Sequence, residues 1–454
     1  MARKYFGTDG VRARAGEFPM TVDFAMKLGI ATGIVLKKTE KQPCVVIGKD
    51  TRRSCYMLES ALTAGLNSVG INVYLIGPIP TPGIAMLVRS MRCDLGIMIS
   101  ASHNPFYDNG IKLFDSKGRK FPDEIEEEIE TIIDDKDLFS KYVKNENIGR
   151  AWRSDNYIYQ QRYIEYVKQT FPKDLDLDGL KIVLDCANGA SYKVAPTIFS
   201  ELGAEVKTII GCVPNGININ EHCGSTKPEL LQQQVLDENA DLGIALDGDA
   251  DRIIMVDEKG EIIDGDHIIA LIAKDRLERN LLKKNTVVVT QMSNLGLELY
   301  LEKIGIKMVR TKVGDRYVAE EMRANDYNLG GEQSGHIILG DYSTTGDGIC
   351  CGLQILAIMK KNQGKKISEL VDLYKTVPQI LNNIKYDKSK QNPLELSEVQ
   401  TYIKEYEKKL AGIGRLLIRK SGTEPLLRVM VECKDKDLLE KAVNDISNKI
   451  KEYL

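Results

Sequence analysis

Apolar runs alternate with amphipathic stretches along most of this chain. Cys44–Gly48, Leu95–Ile99, Leu180–Leu184, Leu242–Leu246 and Thr286–Thr290 are dominated by apolar residues without a polar alternation, the mark of strands buried on both faces. Between them, Val22–Leu36, Leu58–Val69, Ile158–Thr170, His267–Leu277, Leu295–Ile304 and a stretch from about Asp347 to Met359 carry helical spacing. Strand–helix alternation of this kind predicts mostly parallel α/β layers. Ile253–Val256 and Glu261–Ile263 predict a hairpin across Glu258-Lys259-Gly260. An acidic helix over Pro122–Asp135 and a polar, irregular stretch over Asp137–Asn156 mark a first boundary. From about residue 375 the pattern changes. Strands at Val377–Ile384, Arg415–Arg419 and Leu426–Cys433, with helices at Glu398–Leu410 and Leu438–Leu454, predict a small antiparallel α+β module. Four compact regions follow, over 1–152, 153–255, 256–372 and 373–454.

Composition narrows the partners. With 454 residues the chain can hold several domains and a large core. A net charge of −3 argues against a nucleic-acid or membrane-surface partner. The N-terminus lacks the apolar core of a signal peptide and no segment is long and apolar enough to span a bilayer, so a cytoplasmic protein is expected. Nine cysteines, scattered without a CxxC, predict reduced thiols rather than a zinc site.

The chemistry gathers at strand ends. Leu95–Ile99 runs into Ser100-Ala101-Ser102-His103-Asn104-Pro105, and Pro105 keeps Asn104 out of a helix. Ser102 is therefore presented at the carboxyl end of a strand, where α/β sheets place functional groups. A serine hydroxyl is a weak nucleophile and needs a base, a metal or a prior modification. Leu242–Leu246 runs into Asp247-Gly248-Asp249-Ala250-Asp251-Arg252. Alternate spacing at a strand end aims three carboxylates at one point, and their repulsion calls for a cation. Oxygen donors suit Mg²⁺ or Ca²⁺. Counted as a calcium loop, the segment puts Arg252 where the sharp turn needs glycine, so Mg²⁺ is preferred. Arg252 beside the metal suits an anionic group of a substrate. Gly422 between Ser421 and Thr423, flanked by Arg419, Lys420 and Arg428, resembles a phosphate cradle. Glu332, Ser334 and His336 alternate and would share one face of an extended segment, two of them suited to sugar hydroxyls and the third to proton transfer. Metal, phosphate clamp, carrier and proton shuttle together describe phosphoryl transfer. Ser102 then reads as a phosphoserine that adds a fourth anionic ligand to the metal, with His103, Lys112 and Arg252 around its charge.

SASHNP around Ser102, DGDADR over 247–252, GEQSGH over 331–336 and RKSGTEP over 419–425 occur in the order seen in the α-D-phosphohexomutase superfamily, which the chain resembles over nearly its whole length. KYFGTDGVR and the GTEP form of the last motif are similar to its bacterial glucosamine-phosphate branch. The resemblance implies three related α/β domains, each a mixed sheet in three layers, and a C-terminal α+β TBP-like domain, set around a central cleft. It implies interconversion of glucosamine 6-phosphate and glucosamine 1-phosphate, for UDP-N-acetylglucosamine and cell-wall precursors, through glucosamine 1,6-bisphosphate as intermediate and activator. One Mg²⁺ would sit on Ser102, Asp247, Asp249 and Asp251. Thr8, Arg12, Lys312, Gly314, Glu332, Ser334, Arg419, Ser421, Gly422, Thr423 and Arg428 would bind substrate. His103, Lys112 and His336 are the acid–base candidates, unranked, with Arg252 beside them. The resemblance leaves room for a homodimer. A phosphomannomutase or phosphoglucomutase, and more remotely a non-catalytic sugar-phosphate or metal-binding protein, are the competing readings. Two departures stand out: Arg12 is followed by Ala13 rather than glycine, and Lys420 adds a charge to the last motif.

Overall fold

The computed structural model describes residues 4–37, 43–144, 148–153, 156–386, 392–420 and 426–454. Eighteen strands among these residues form four sheets. The first contains β1 (Val11–Arg14), β2 (Cys44–Lys49), β3 (Asn72–Pro78), β4 (Leu95–Ile99), β5 (Asp108–Asp115) and β6 (Ala151–Arg153), in the order β1-β5-β4-β2-β3-β6. Its centre is parallel, β2 pairing with β3 and β4. Both edges of the serine segment are fixed by an antiparallel pair, β4 with β5. The second contains β7 (Lys181–Asp185), β8 (Glu205–Ile210), β9 (Leu242–Leu246), β10 (Ile253–Asp257) and β11 (Ile262–Ile263), in the order β11-β10-β9-β7-β8. Here β7 pairs in parallel with β8 and β9, and β9–β10–β11 is antiparallel. The third contains β12 (Thr286–Thr290), β13 (Lys307–Thr311), β14 (Leu329–Gly331) and β15 (Ile337–Leu339), in the order β13-β12-β14-β15. The fourth is β16 (Gln379–Lys385), β17 (Gly414–Lys420) and β18 (Leu426–Cys433), antiparallel with β18 in the middle.

Every residue of β4, β9, β10 and β12 is buried, which is why these strands read as unbroken apolar runs. The helix Val22–Leu36 has the expected bounds, and Ser54–Ser68 starts four residues before the expected Leu58. Several elements went unannounced by the pattern: the helices Val194–Glu201 and Glu229–Asp237 and the strands β1 and β13. The stretch expected to be irregular, Asp137–Asn156, contains a short helix, Leu138–Tyr142, and β6, whose pairing with β3 supplies the order its polar sequence lacks. Asp347 caps the helix Gly348–Lys361 by accepting from the Cys350 N–H at 2.9 Å.

The chain divides into two compact units, 1–290 with 309–371 and 291–308 with 372–454. The larger carries the serine, aspartate and Gly331–His336 segments. The smaller has its own core of Ile384, Val399, Leu427, Val429, Leu439, Val443 and Ile446 beneath the three-stranded sheet. All nine cysteines are free. Among the described residues no helix is long and apolar enough to cross a membrane.

Candidate active site

Ser102 stands just past β4 in a left-handed conformation, φ +53°. Its Oγ donates to Asp247 Oδ2 at 2.5 Å and lies 3.2 Å from His103 Nδ1. Asp247 follows β9, and the turn it opens keeps itself in shape. The Ala250 N–H donates to the Asp247 carbonyl at 3.0 Å and the Arg252 N–H to Asp247 Oδ1 at 3.1 Å. Asp247, Asp249 and Asp251 are buried, and one oxygen from each lies within 4.8 Å of the others. Asp249 Oδ1 and Asp251 Oδ1 are buried and accept no hydrogen bond among the described residues. Oxygens withdrawn from water without a donor are costly unless a cation meets them. The donor set therefore fits a hard divalent ion.

A lysine supplies part of that charge. Lys112, buried on β5, places Nζ 2.9 Å from Asp249 Oδ2, 3.2 Å from Asp251 Oδ2 and 3.2 Å from Asp9 Oδ2. Burial pushes the Lys112 pKa down, but these carboxylates outweigh it and hold the ammonium well above its ordinary range. Burial, with Asp251 and Asp249 adding repulsion, pushes Asp247 well above the usual carboxylate range. Burial also pushes Asp251 up, but Lys112 and His336 prevail and hold it well below. The imidazole of His103 is depressed to about 4 by burial, then by Arg252 and Arg12, so it stays neutral. Serine, histidine and aspartate are all present, yet they form no triad. Asp247 bonds the serine rather than the imidazole, and the imidazole is a weak base.

The expected extended face at 332–336 is not formed. β14 ends at Gly331 and β15 begins at Ile337, and a turn lies between them. Gly335 makes it, at φ +91°, where an added Cβ would stand 2.0 Å from the Ile253 carbonyl. Glu332 and Ser334 stay together, 3.4 Å apart, and Glu332 Oε1 accepts from the Gly314 N–H at 3.2 Å. His336 turns the other way. Its Nε2 accepts from the Gly346 N–H at 3.0 Å, which leaves the proton on Nδ1, 3.6 Å from Asp251 Oδ1. Burial disfavours a second proton there, while Asp251 and Asp315 favour it more strongly. Arg252, half-buried, pairs backbone with His336. Arg12 is ion-paired to Asp9, and a Cβ at Gly314 would stand 3.8 Å from that of Thr8. Lys312 is exposed, over the Tyr317 ring at 5.8 Å.

In the smaller unit Arg419 and Arg428 face each other across β17 and β18. Two guanidinium groups at one register position suit an anion. Ser421, Gly422 and Thr423 lie outside the described residues.

Four residues at the site were not among the candidates, although Asp9 lies inside KYFGTDGVR. Thr81 Oγ1 donates to Asp249 Oδ2 at 2.6 Å; the signal that could have found it is Gly77-Pro78-Ile79-Pro80 at the end of β3. Asp9 bonds Lys120, and Lys120 bonds Asp315, whose Oδ2 is 3.5 Å from His336 Nε2. These pairs join segments far apart in sequence, which spacing cannot reveal. A cavity of about 270 Å³ opens beside the Lys120–Asp315 bridge, but neither Ser102 nor any of the three aspartates lines it.

The chain belongs to the phosphoglucomutase/phosphomannomutase family: α/β/α domains I, II and III match over residues 3–139, 161–260 and 264–377, and the C-terminal domain over 381–449. Within that class it is similar to the phosphoglucosamine mutase of Zymomonas mobilis, 57% identical over 451 residues that cover 99% of each chain. The phosphoglucosamine mutase of Agrobacterium fabrum is 56% identical over 446 residues, 98% of each chain. Among solved structures, a phosphoglucomutase/phosphomannomutase family protein from Burkholderia thailandensis superposes with a TM-score of 0.81 at 24% identity, covering 100% of this chain and 98% of the other. An N-acetylphosphoglucosamine mutase from Aspergillus fumigatus, in complex with GlcNAc-6P and magnesium, gives a TM-score of 0.67 at 19% identity, with 99% and 96% covered. These two show a shared fold of three α/β/α domains and a C-terminal domain.

Proposed function

We propose that the chain is a phosphoglucosamine mutase, an isomerase that moves a phosphoryl group between O6 and O1 of glucosamine through a phosphorylated Ser102. The observation that carries the mechanism is Ser102 Oγ at 2.5 Å from one carboxylate of a buried three-aspartate cluster. A seryl phosphate there adds oxygens where Asp247, Asp249 and Asp251 already offer theirs. Mg²⁺ held by these groups supplies positive charge to a transferring phosphoryl group. The Ser102 Oγ–P bond breaks as a P–O bond forms to the sugar hydroxyl, and the proton of that hydroxyl passes to a base at the site. The resulting bisphosphate turns over, its other phosphate returns to Ser102, and the hydroxyl oxygen it leaves is reprotonated. His103 stays neutral, and with its pKa depressed to about 4 it is the weaker candidate for the base. Lys112, whose ammonium the surrounding carboxylates hold well above its ordinary range, is fitted to supply fixed positive charge rather than a proton, and His336 presents Nδ1–H beside Asp251. Glu332 and Ser334 grip sugar hydroxyls, with Gly314 and Thr8 beside them. Arg419, Ser421, Gly422, Thr423 and Arg428 hold the non-reacting phosphate, and Arg12 and Lys312 bind substrate. Glucosamine 1,6-bisphosphate serves as intermediate and activator.

The test is a panel of glucosamine, mannose and glucose 6-phosphates, each with a trace of the matching 1,6-bisphosphate. Glucosamine 6-phosphate should give the highest kcat/KM, and a higher value on mannose or glucose phosphate would overturn the assignment. Intact mass before and after phosphatase should show one phosphoryl group, absent from Ser102→Ala.

A further inference from the structure

Two segments remain without a role: the turn after β2 over 50–53, and the long loop after β8 over 214–228. Both reach the serine loop. Ser102 holds φ +53°, a region in which a residue with a Cβ is disfavoured, so neighbours must keep it there. Its N–H donates to Ser100 Oγ at 2.9 Å. Its carbonyl and that of Asn104 point toward the same donors. Arg52 Nη2 donates to Ser102 O at 3.2 Å and to Asn104 O at 2.5 Å. Asn220 Nδ2 donates to the same pair at 2.9 and 3.0 Å. Two carbonyl dipoles turned to one point repel, and each of these nitrogens draws on both.

Both donors are themselves held. Arg52 is fully buried and ion-paired to Asp50, whose Oδ1 also accepts the Arg52 N–H at 2.8 Å. Asn220 comes from the second sheet's side, its backbone also left-handed at φ +57° and its N–H on Ala187 O at 2.8 Å. Gly248 leaves room for the arrangement: a Cβ there would stand 2.6 Å from Ser102 O and 3.0 Å from Asn220 Nδ2. The Asn220 amide orientation is fixed by the chemistry, since an amide oxygen in that place would face two carbonyl oxygens.

We infer that Arg52 and Asn220 are positioning residues for the phosphate-carrying serine, acting through the loop carbonyls to keep Ser102 Oγ against the aspartate cluster in both halves of the reaction. This rests on Ser102 being the carrier. Neither residue needs to touch the sugar. Without Asn220 the loop relaxes, Oγ moves off the carboxylates, and the seryl phosphate becomes open to water.

The experiment uses the full chain carrying Asn220→Ala, Asn220→Asp or Arg52→Lys. It reads kcat and KM on glucosamine 6-phosphate, the lifetime of the seryl phosphate by intact mass, and Tm. Asn220→Ala should lower kcat about 10- to 30-fold with KM within about twofold, and shorten the phosphate lifetime, at unchanged Tm. Asn220→Asp should cost more, because a carboxylate then faces two carbonyls. Arg52→Lys, whose ammonium lacks the planar fork, should shift kcat and lifetime the same way. Wild-type kcat and phosphate lifetime in both Asn220 variants would overturn the inference. So would a fall in kcat matched by a fall in Tm with the phosphate lifetime unchanged, which is a structural role only. Ser102→Ala separates the two claims: turnover in that variant refutes the carrier, whereas an inert Ser102→Ala beside fully active Asn220 variants refutes the positioning alone.

Discussion

The serine loop and the aspartate loop are built alike and stabilised differently. Each follows a fully buried five-residue strand, β4 or β9, and each returns along an antiparallel partner, β5 or β10. Each contains a left-handed residue, Ser102 at φ +53° or Ala250 at φ +56°. The aspartate loop ties its own backbone, through Ala250 N–H and Arg252 N–H to Asp247. Its difficulty is charge, which an ion and Lys112 must supply. The serine loop is neutral, and its difficulty is conformation, which donors from Arg52 and Asn220 must supply. The same strand-end device thus leaves one deficit of cation and another of backbone support, and each is met by a different part of the chain.

The largest effect should come from disabling the cation site. Removing divalent metal with a chelator, or making Asp247→Asn, should lower kcat more than about 1,000-fold, with Mg²⁺ restoring the chelated enzyme but not the variant. Steady-state rates before and after Mg²⁺ addition decide this; full activity in metal-free buffer would erase the contrast between the loops. Lys112→Met removes the resident cation from among Asp9, Asp249 and Asp251, and should cost roughly 100- to 1,000-fold in kcat. If it instead raised KM alone, Lys112 would belong with substrate binding.

Gly248→Ala sharpens the comparison, because it alters the aspartate loop's sequence and the serine loop's conformation. Turnover should fall about 30- to 100-fold while the affinity for Mg²⁺, read by calorimetry, stays near wild type. Weaker Mg²⁺ binding of the same size would place the damage in the wrong loop.

The smallest effect concerns Asp185, a lone carboxylate at the end of β7. It accepts from Gly224 N–H at 2.6 Å and Ala187 N–H at 2.9 Å, and burial raises its pKa to about 6. A carboxyl whose folded pKa is raised binds more protons folded than unfolded between about pH 4 and 6. Its contribution is therefore fullest below pH 4 and is lost as pH rises through 6. Urea unfolding at pH 4.5 and 7.5 should show the stability of wild type relative to Asp185→Asn declining by roughly 2 kcal/mol over that window. An increase would contradict the sign.

Legibility differed by kind of feature. β4, β9, β10 and β12 were plain because buried strands admit few polar residues. β13, half-buried over most of its length, and the short helix Glu229–Asp237 lacked that contrast. Ser102 and the three aspartates were readable because each motif is contiguous. The alternation of Glu332, Ser334 and His336 misled, because Gly335 turns the chain and sends His336 to Asp251 rather than to the Glu332 side.

By itself the sequence determined the strand ends, the three carboxylates at one spacing, the serine before His103-Asn104-Pro105, and the order of the four motifs. These are local, set by side-chain type and neighbours along the backbone. Only the tertiary structure decided that Asp247 meets Ser102 rather than His103, that Lys112 stands among Asp9, Asp249 and Asp251, and that Arg52 and Asn220 share two carbonyls. Those contacts cross 50 to 145 positions of chain. Packing of buried sheets closes such distances, and no periodicity within a segment encodes which of several buried carboxylates a given donor will reach.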